Sequence, residues 1–134
     1  MNAGFGLDPV PGLGRLTPEN TGLRLLNGPK AKQQFPLQRM RTLIGRSDPP
    51  EVVVDLDLSD CELGDIPMIS RRHAVIEWQQ GELQIIDLAS RNGTIVDGQP
   101  LKPAQPHQPS APVALKMGSK LQLANLEFEV ITHG

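Results

Sequence analysis

Three short segments gather side chains suited to holding an oxyanion: Gly45-Arg46-Ser47, Ser70-Arg71-Arg72-His73 and Ser90-Arg91-Asn92-Gly93-Thr94. Together they contain four of the eight arginines in the chain. An arginine presents a planar fork of donors that matches phosphate or carboxylate oxygens. Serine and asparagine add short, directional donors, and glycine lets backbone N–H groups approach a ligand closely. One such loop is ordinary surface chemistry. Three in one small chain point to anion recognition if the fold brings them together.

The elements between the loops decide that. Leu23–Leu26 stops at Asn27-Gly28, Met40–Ile44 stops at Gly45, and Gln33–Leu37 contains Pro36, which confines it to an edge strand or an irregular stretch. Val52–Leu58 alternates, with Val54, Leu56 and Leu58 facing one way, and reads as a strand. His73–Gln79 and Glu82–Leu88 flank Gln80-Gly81 and form a hairpin, with Ala74, Ile76 and Trp78 on one face. Asp97-Gly98 makes another turn, and Leu121–Leu123 and Leu126–Val130 form a closing hairpin around Ala124-Asn125. Antiparallel geometry puts the Gln80-Gly81 turn at one end of its hairpin. The loops at 67–72 and 89–93 therefore share the opposite end. Whether Arg46 joins them depends on how Val52–Leu58 crosses the sheet, which strand parity leaves open.

Composition agrees with short strands. In 134 residues there are 13 Gly, 13 Pro and only four aromatic side chains. That punctuation breaks long helices, and the core must be built from Leu, Ile and Val. About ten short strands separated by turns predict an all-β sandwich. Residues 1–20 read as a flexible N-terminal arm and residues 21–134 as the domain. Five prolines within residues 99–112 predict an extended, polyproline-like loop.

Several function classes drop out. The net charge of −2 supplies no global field for nucleic acid, although seven acids and no base fall between Asp48 and Asp65. Those aspartates lack EF-hand spacing, and Cys61 with three scattered histidines makes no zinc pattern, so no metal or cofactor is expected. Gly12-Leu13-Gly14 is not a nucleotide phosphate loop, and Asn92-Gly93-Thr94 is a glycosylation sequon only in form. Ser70 and His73 have no nucleophile elbow around them, so no enzyme is predicted. A single cysteine suits a reducing compartment, and no apolar run reaches membrane-spanning length. The residues from Met1 to Gly6 show no signal-peptide pattern, so a cytoplasmic location without membrane insertion is expected.

The order Gly45-Arg46, Val54-Asp55-Leu56-Asp57-Leu58, Ser70-Arg71-Arg72-His73-Ala74, Ser90-Arg91-Asn92-Gly93-Thr94 and Val96-Asp97-Gly98 resembles a forkhead-associated (FHA) domain across about residues 22–132. The resemblance implies a two-sheet β-sandwich of about eleven short, mostly antiparallel strands that binds phosphothreonine through loops at one end. It implies that Arg46, Ser70, Arg71 and Arg91 contact the phosphate and that Asn92 holds the peptide backbone. Gly45, His73, Gly93 and Thr94 would be structural around the site. Arg72, next to a ligand-facing Arg71, is expected to point elsewhere.

The partner implied is a protein phosphorylated on threonine by a Ser/Thr kinase. Thr17 or Thr21, near the N-terminus, is a candidate intramolecular phosphosite. The alternative is a phosphate-independent scaffold or oligomerisation module using the sandwich face or the proline-rich loop.

Overall fold

A computed structural model describes residues 15–133. Among these residues eleven strands form two sheets: β1 (Thr21–Leu25), β2 (Gln34–Pro36), β3 (Arg41–Gly45), β4 (Leu56–Asp57), β5 (Arg72–Gln79), β6 (Glu82–Asp87), β7 (Thr94–Val96), β8 (Gln99–Pro100), β9 (Val113–Leu115), β10 (Lys120–Leu123) and β11 (Leu126–Thr132). The five-stranded sheet runs β9-β6-β5-β3-β4 and the six-stranded sheet β2-β1-β11-β10-β7-β8. This is the expected all-β two-sheet sandwich. Every pairing is antiparallel except β3 with β4.

Alternation builds the core. Leu23 and Leu25, Ala74, Ile76 and Trp78, Leu83 and Ile85, Leu121 and Leu123 are buried at every second position of their strands. Phe35 meets Phe128 edge-on with ring centroids 6.4 Å apart. The indole of Trp78 donates its N–H to the Leu37 carbonyl at 3.0 Å, which satisfies its polar edge inside the core. Gln80 and Gly81 both take positive φ, 53° and 80°, as a two-residue hairpin turn requires. Pro36 sits in β2, at the edge of its sheet, where a missing N–H costs least.

Two expectations are corrected. Val52–Leu58 is not one strand: only Leu56–Asp57 joins the sheet, parallel to β3. The alternation still governs burial, since Val54, Leu56 and Leu58 are buried and Val53 is exposed. The aspartates take up part of the hydrogen bonding along this segment. Asp55 accepts the Leu43 N–H on its carboxylate at 2.8 Å, and Asp57 accepts the N–H groups of Ser47 and Ser59 at 3.3 and 3.0 Å. Side-chain acceptors thus supplement backbone pairing, since the Asp55 N–H still donates to the Leu43 carbonyl at 2.9 Å and the Leu58 N–H to the Gly45 carbonyl at 2.8 Å. The proline-rich loop also departs from an extended polyproline form. It opens in β8, closes on itself through a Pro103–Ser110 bridge, and is pinned where the Asp87 N–H donates to the Ser110 hydroxyl at 2.9 Å. Strand β9 follows it directly.

Residues 1–14 of the predicted arm lie outside the described residues. Residues 15–20 form a turn in which the Thr17 N–H donates to Asn20 Oδ1 at 2.9 Å and the Asn20 amide donates to the Arg15 carbonyl at 3.0 Å.

Candidate functional site

The loop after β3 and the segment before β5 meet because their strands are antiparallel neighbours. The ladder pairs Ile44 with Ala74 and Gly45 with Arg72, leaving His73 as an extra residue. That bulge re-aims the imidazole away from the strand alternation. His73 is fully buried: its Nδ1 accepts the Ser70 N–H at 3.1 Å, and its Nε2 lies 2.8 Å from the Gly93 carbonyl. Nδ1 as acceptor makes Nε2 the protonated nitrogen, so one neutral ring ties the 70–72 segment to the 88–93 loop. Burial holds the pKa of His73 below its ordinary value, against an upward pull from the Gly93 hydrogen bond and the charge of Asp87.

Gly45 is set by close approach. A Cβ there would lie 2.7 Å from the Arg71 carbonyl carbon and 2.8 Å from the Ser70 oxygen, with the Arg71 oxygen nearer still. The Arg46 N–H donates to that Arg71 oxygen at 3.1 Å. Gly93 has open space around it and is set by backbone conformation instead, with φ +86°.

The 88–93 loop is braced from below by a residue that the motifs do not include. Asp87, buried at the end of β6, accepts the Ser90 hydroxyl at 2.6 Å, the Ser90 N–H at 3.1 Å and the Thr94 hydroxyl at 2.7 Å. Ser90 in turn accepts the Gly93 N–H at 3.0 Å. A signal existed in the sequence: Leu83, Ile85 and Asp87 alternate, so the carboxylate falls on the buried face. Glu62, just past the 3-10 turn Ser59–Cys61, was also missed. It lies beneath the opposite wall and carries no comparable signal.

These braces bring four of the five predicted contact residues to the lining of one groove of about 740 Å³. Arg46, Ser70, Arg71 and Arg91 line it, so the position of Arg46 that parity left open is at the shared end. The Ser70 hydroxyl accepts the Arg91 N–H at 3.0 Å. Arg46 is mostly covered; its Nε donates to the Ile69 carbonyl and lies 3.9 Å from Glu62. Arg71 pairs with Asp48 at 3.2 Å, both more than half exposed. Asn92 donates to the Met68 carbonyl at 2.8 Å, and Met68 lines the groove. Arg72, expected to point elsewhere, lines the same groove. Four arginines and a single acid, Asp48, thus line the groove in a chain of net charge −2. Val52, Pro67 and Met68 make an apolar wall. Such a surface can seat a dianion next to an apolar side chain.

Thr17 and Thr21 lie elsewhere. Thr21 pairs with Thr132, at the end of β11 remote from the 124–125 turn that contacts Gly93. Arg15 and Leu16 line a hollow beside Gly81, at the far end of the β5–β6 hairpin. Thr21 is buried, with its hydroxyl donating to Asn20 Oδ1 at 2.8 Å.

The fold is a β-sandwich with an arginine-lined groove at its loop end, and the sequence profile described as "FHA domain" matches residues 42–124. The chain belongs to the FHA domain family. It is 35% identical over 101 residues to the oxoglutarate dehydrogenase inhibitor of Corynebacterium diphtheriae, covering 75% of this chain and 64% of that protein. It is 32% identical over 123 residues to the glycogen accumulation regulator GarA of Mycolicibacterium smegmatis, covering 92% of this chain and 66% of GarA. The chain thus spans just under two thirds of the length of these relatives. A solved structure from a structural and functional analysis of phosphothreonine-dependent FHA domain interactions superposes with a TM-score of 0.62 at 25% identity, covering 86% of this chain and 98% of that one. No helix among the described residues is long and apolar enough to cross a membrane. Among the same residues no cluster of His, Cys, Asp or Glu is placed to hold a metal ion.

Proposed function

We propose that this chain is a phosphothreonine-binding interaction module, not an enzyme, and that it recognises a protein phosphorylated by a Ser/Thr kinase. One observation carries the reading: the convergence of Arg46, Ser70, Arg71 and Arg91 on a single groove. Arg46 and Arg71 supply charge, Ser70 and Arg91 supply directed donors, and Asn92 sits beside them to hold the peptide backbone. His73, Gly45, Gly93 and Thr94 shape the loops. The family match and the phosphothreonine-dependent interactions of the solved neighbour support the same chemistry.

A phosphothreonine carries about −1.5 to −2 charge and three strong acceptor oxygens. Charge-assisted hydrogen bonds contribute about 1.5–3 kcal/mol each, so three or four of them, less ordering costs, give micromolar affinity. A phosphorylated Thr17 or Thr21 would reach the groove of its own chain only after residues 15–21 left the opposite end of the sandwich. That geometry favours a partner bound in trans.

The test is titration of a phosphothreonine peptide library against unphosphorylated and phosphoserine controls. Binding is expected to require the phosphate and to fall at least about tenfold in Arg46→Ala and in Ser70→Ala. Affinity indifferent to phosphate, or undiminished in both variants, refutes the proposal.

A further inference from the structure

Glu62 belongs to none of the motifs, yet its side chain is 9% exposed and makes three contacts under the groove. Its Oε1 accepts the Met68 N–H and its Oε2 accepts the Ile69 N–H, both at 3.1 Å. Its Oε2 also lies 3.9 Å from Arg46 Nε. The peptide units it holds are Pro67–Met68 and Met68–Ile69; the Met68 carbonyl lies in the second of them, and the Ile69 carbonyl in the next unit along. The Met68 carbonyl receives the Asn92 amide, and the Ile69 carbonyl receives Arg46 Nε. Ile69 itself is fully buried, so this stretch is anchored in the core on one side and clamped by a carboxylate on the other.

We propose that Glu62 is the positioning residue of the groove: by fixing residues 68–69 it sets Arg46 for phosphate and Asn92 for peptide backbone. The proposal rests on the groove being a phosphothreonine site. A carboxylate suits the position because it is acceptor-only and meets two N–H donors and a guanidinium at once. Glutamine can satisfy one N–H, but its amide nitrogen turns a donor toward the other donor or toward Arg46. The loop-to-groove link then loosens while the core beneath it stays packed. Ligand sites held to within about half an ångström by such supporting contacts lose affinity when the support is removed, even though no ligand contact is deleted.

The experiment pairs Glu62→Gln with Glu62→Asp, which keeps the charge and shortens the reach. In the free protein, NMR resonances of the Arg46 Nε–H and the Asn92 side-chain amide are followed. Both are expected to shift in each variant while core amides such as Ile76 and Leu123 stay in place. Phosphothreonine-peptide titration is expected to show a loss of about tenfold for Glu62→Gln and less for Glu62→Asp. That loss is expected to shrink to about twofold when Arg46→Lys and Asn92→Ala are already present, because nothing is left to position. Unchanged Arg46 and Asn92 resonances overturn the proposal, as does a binding loss of equal size in both backgrounds. A wild-type protein that binds no phosphothreonine peptide refutes the functional reading instead, and the NMR arm still decides what Glu62 holds.

Discussion

Replacing Gly45 by alanine tests whether the groove depends on close backbone approach. The added methyl would sit 2.7 Å from the Arg71 carbonyl carbon and 2.8 Å from the Ser70 oxygen. Carbon atoms in favourable contact stand about 3.5–4.0 Å apart, so the 70–71 backbone must retreat by roughly 1 Å. The neighbour is backbone, held by the Arg46 N–H bond to Arg71 and by the Ser70 bond to His73, so it cannot yield as a flexible side chain would. Overpacking of this kind costs about 1–3 kcal/mol of stability. Displacing Ser70 and Arg71 by roughly 1 Å removes their shared geometry, with an expected affinity loss approaching about 100-fold. Gly93→Ala is the control: it meets no atom within 4 Å but has φ +86°. Its cost is conformational, about 1–2 kcal/mol, without the steric push on Ser70. Urea unfolding and phosphopeptide calorimetry on both variants separate the two causes. The reasoning is refuted if Gly45→Ala binds within about twofold of wild type, or if Gly93→Ala loses as much affinity as Gly45→Ala.

His73 makes stability depend on pH. Its pKa is lowered in the fold from 6.5, so the unfolded chain binds more protons than the native one below that value. The contribution is fully present above 6.5 and is lost as pH falls toward the lowered folded value; urea midpoints from pH 8 to 5 should show this decline, and His73→Gln should flatten it. Asp48→Asn frees Arg71 from its resident carboxylate and is expected to raise phosphopeptide affinity about two- to fivefold, the scale of an exposed ion pair, read by calorimetry. Asp87→Asn turns one amide donor toward the Ser90 and Thr94 donors and should cost about 1–3 kcal/mol by chemical denaturation, with increased hydrogen exchange at Ser90 and Gly93.

The readable part of the fold was whatever short-range rules govern. The Gln80-Gly81 hairpin follows from two adjacent positions that tolerate positive φ, and its geometry puts the loops that carry Ser70 and Arg91 at one end. Alternation sorted the buried residues of Val52–Leu58 correctly but mistook burial for pairing. Asp55 accepts the Leu43 N–H on its side chain, so Val54 and Leu56 keep their inward phase although only Leu56–Asp57 joins the ladder. The proline-rich stretch failed for a related reason: Ser110 is fixed by a residue 23 positions away, and no local composition encodes that bond.

The site divides along the same line. Arginine, serine and asparagine at the groove surface announce themselves by type, whereas the groups that hold them are legible only in part. Asp87 could have been found, because a lone carboxylate on the inward phase of an apolar strand must be satisfied by something nearby, and Ser90 and Thr94 are close in sequence. Glu62 could not, because its work is done on the backbone of residues 68–69, where acceptor geometry matters and the identity of those side chains does not. Net charge fails most completely. The sum of −2 mixes acids already engaged by backbone donors, such as Asp55 and Glu62, with guanidinium groups that line open space. What an incoming phosphate meets is the local balance of four arginines against Asp48 in the lining and Glu62 beneath Arg46, and that balance is set by which strand ends the sandwich brings side by side.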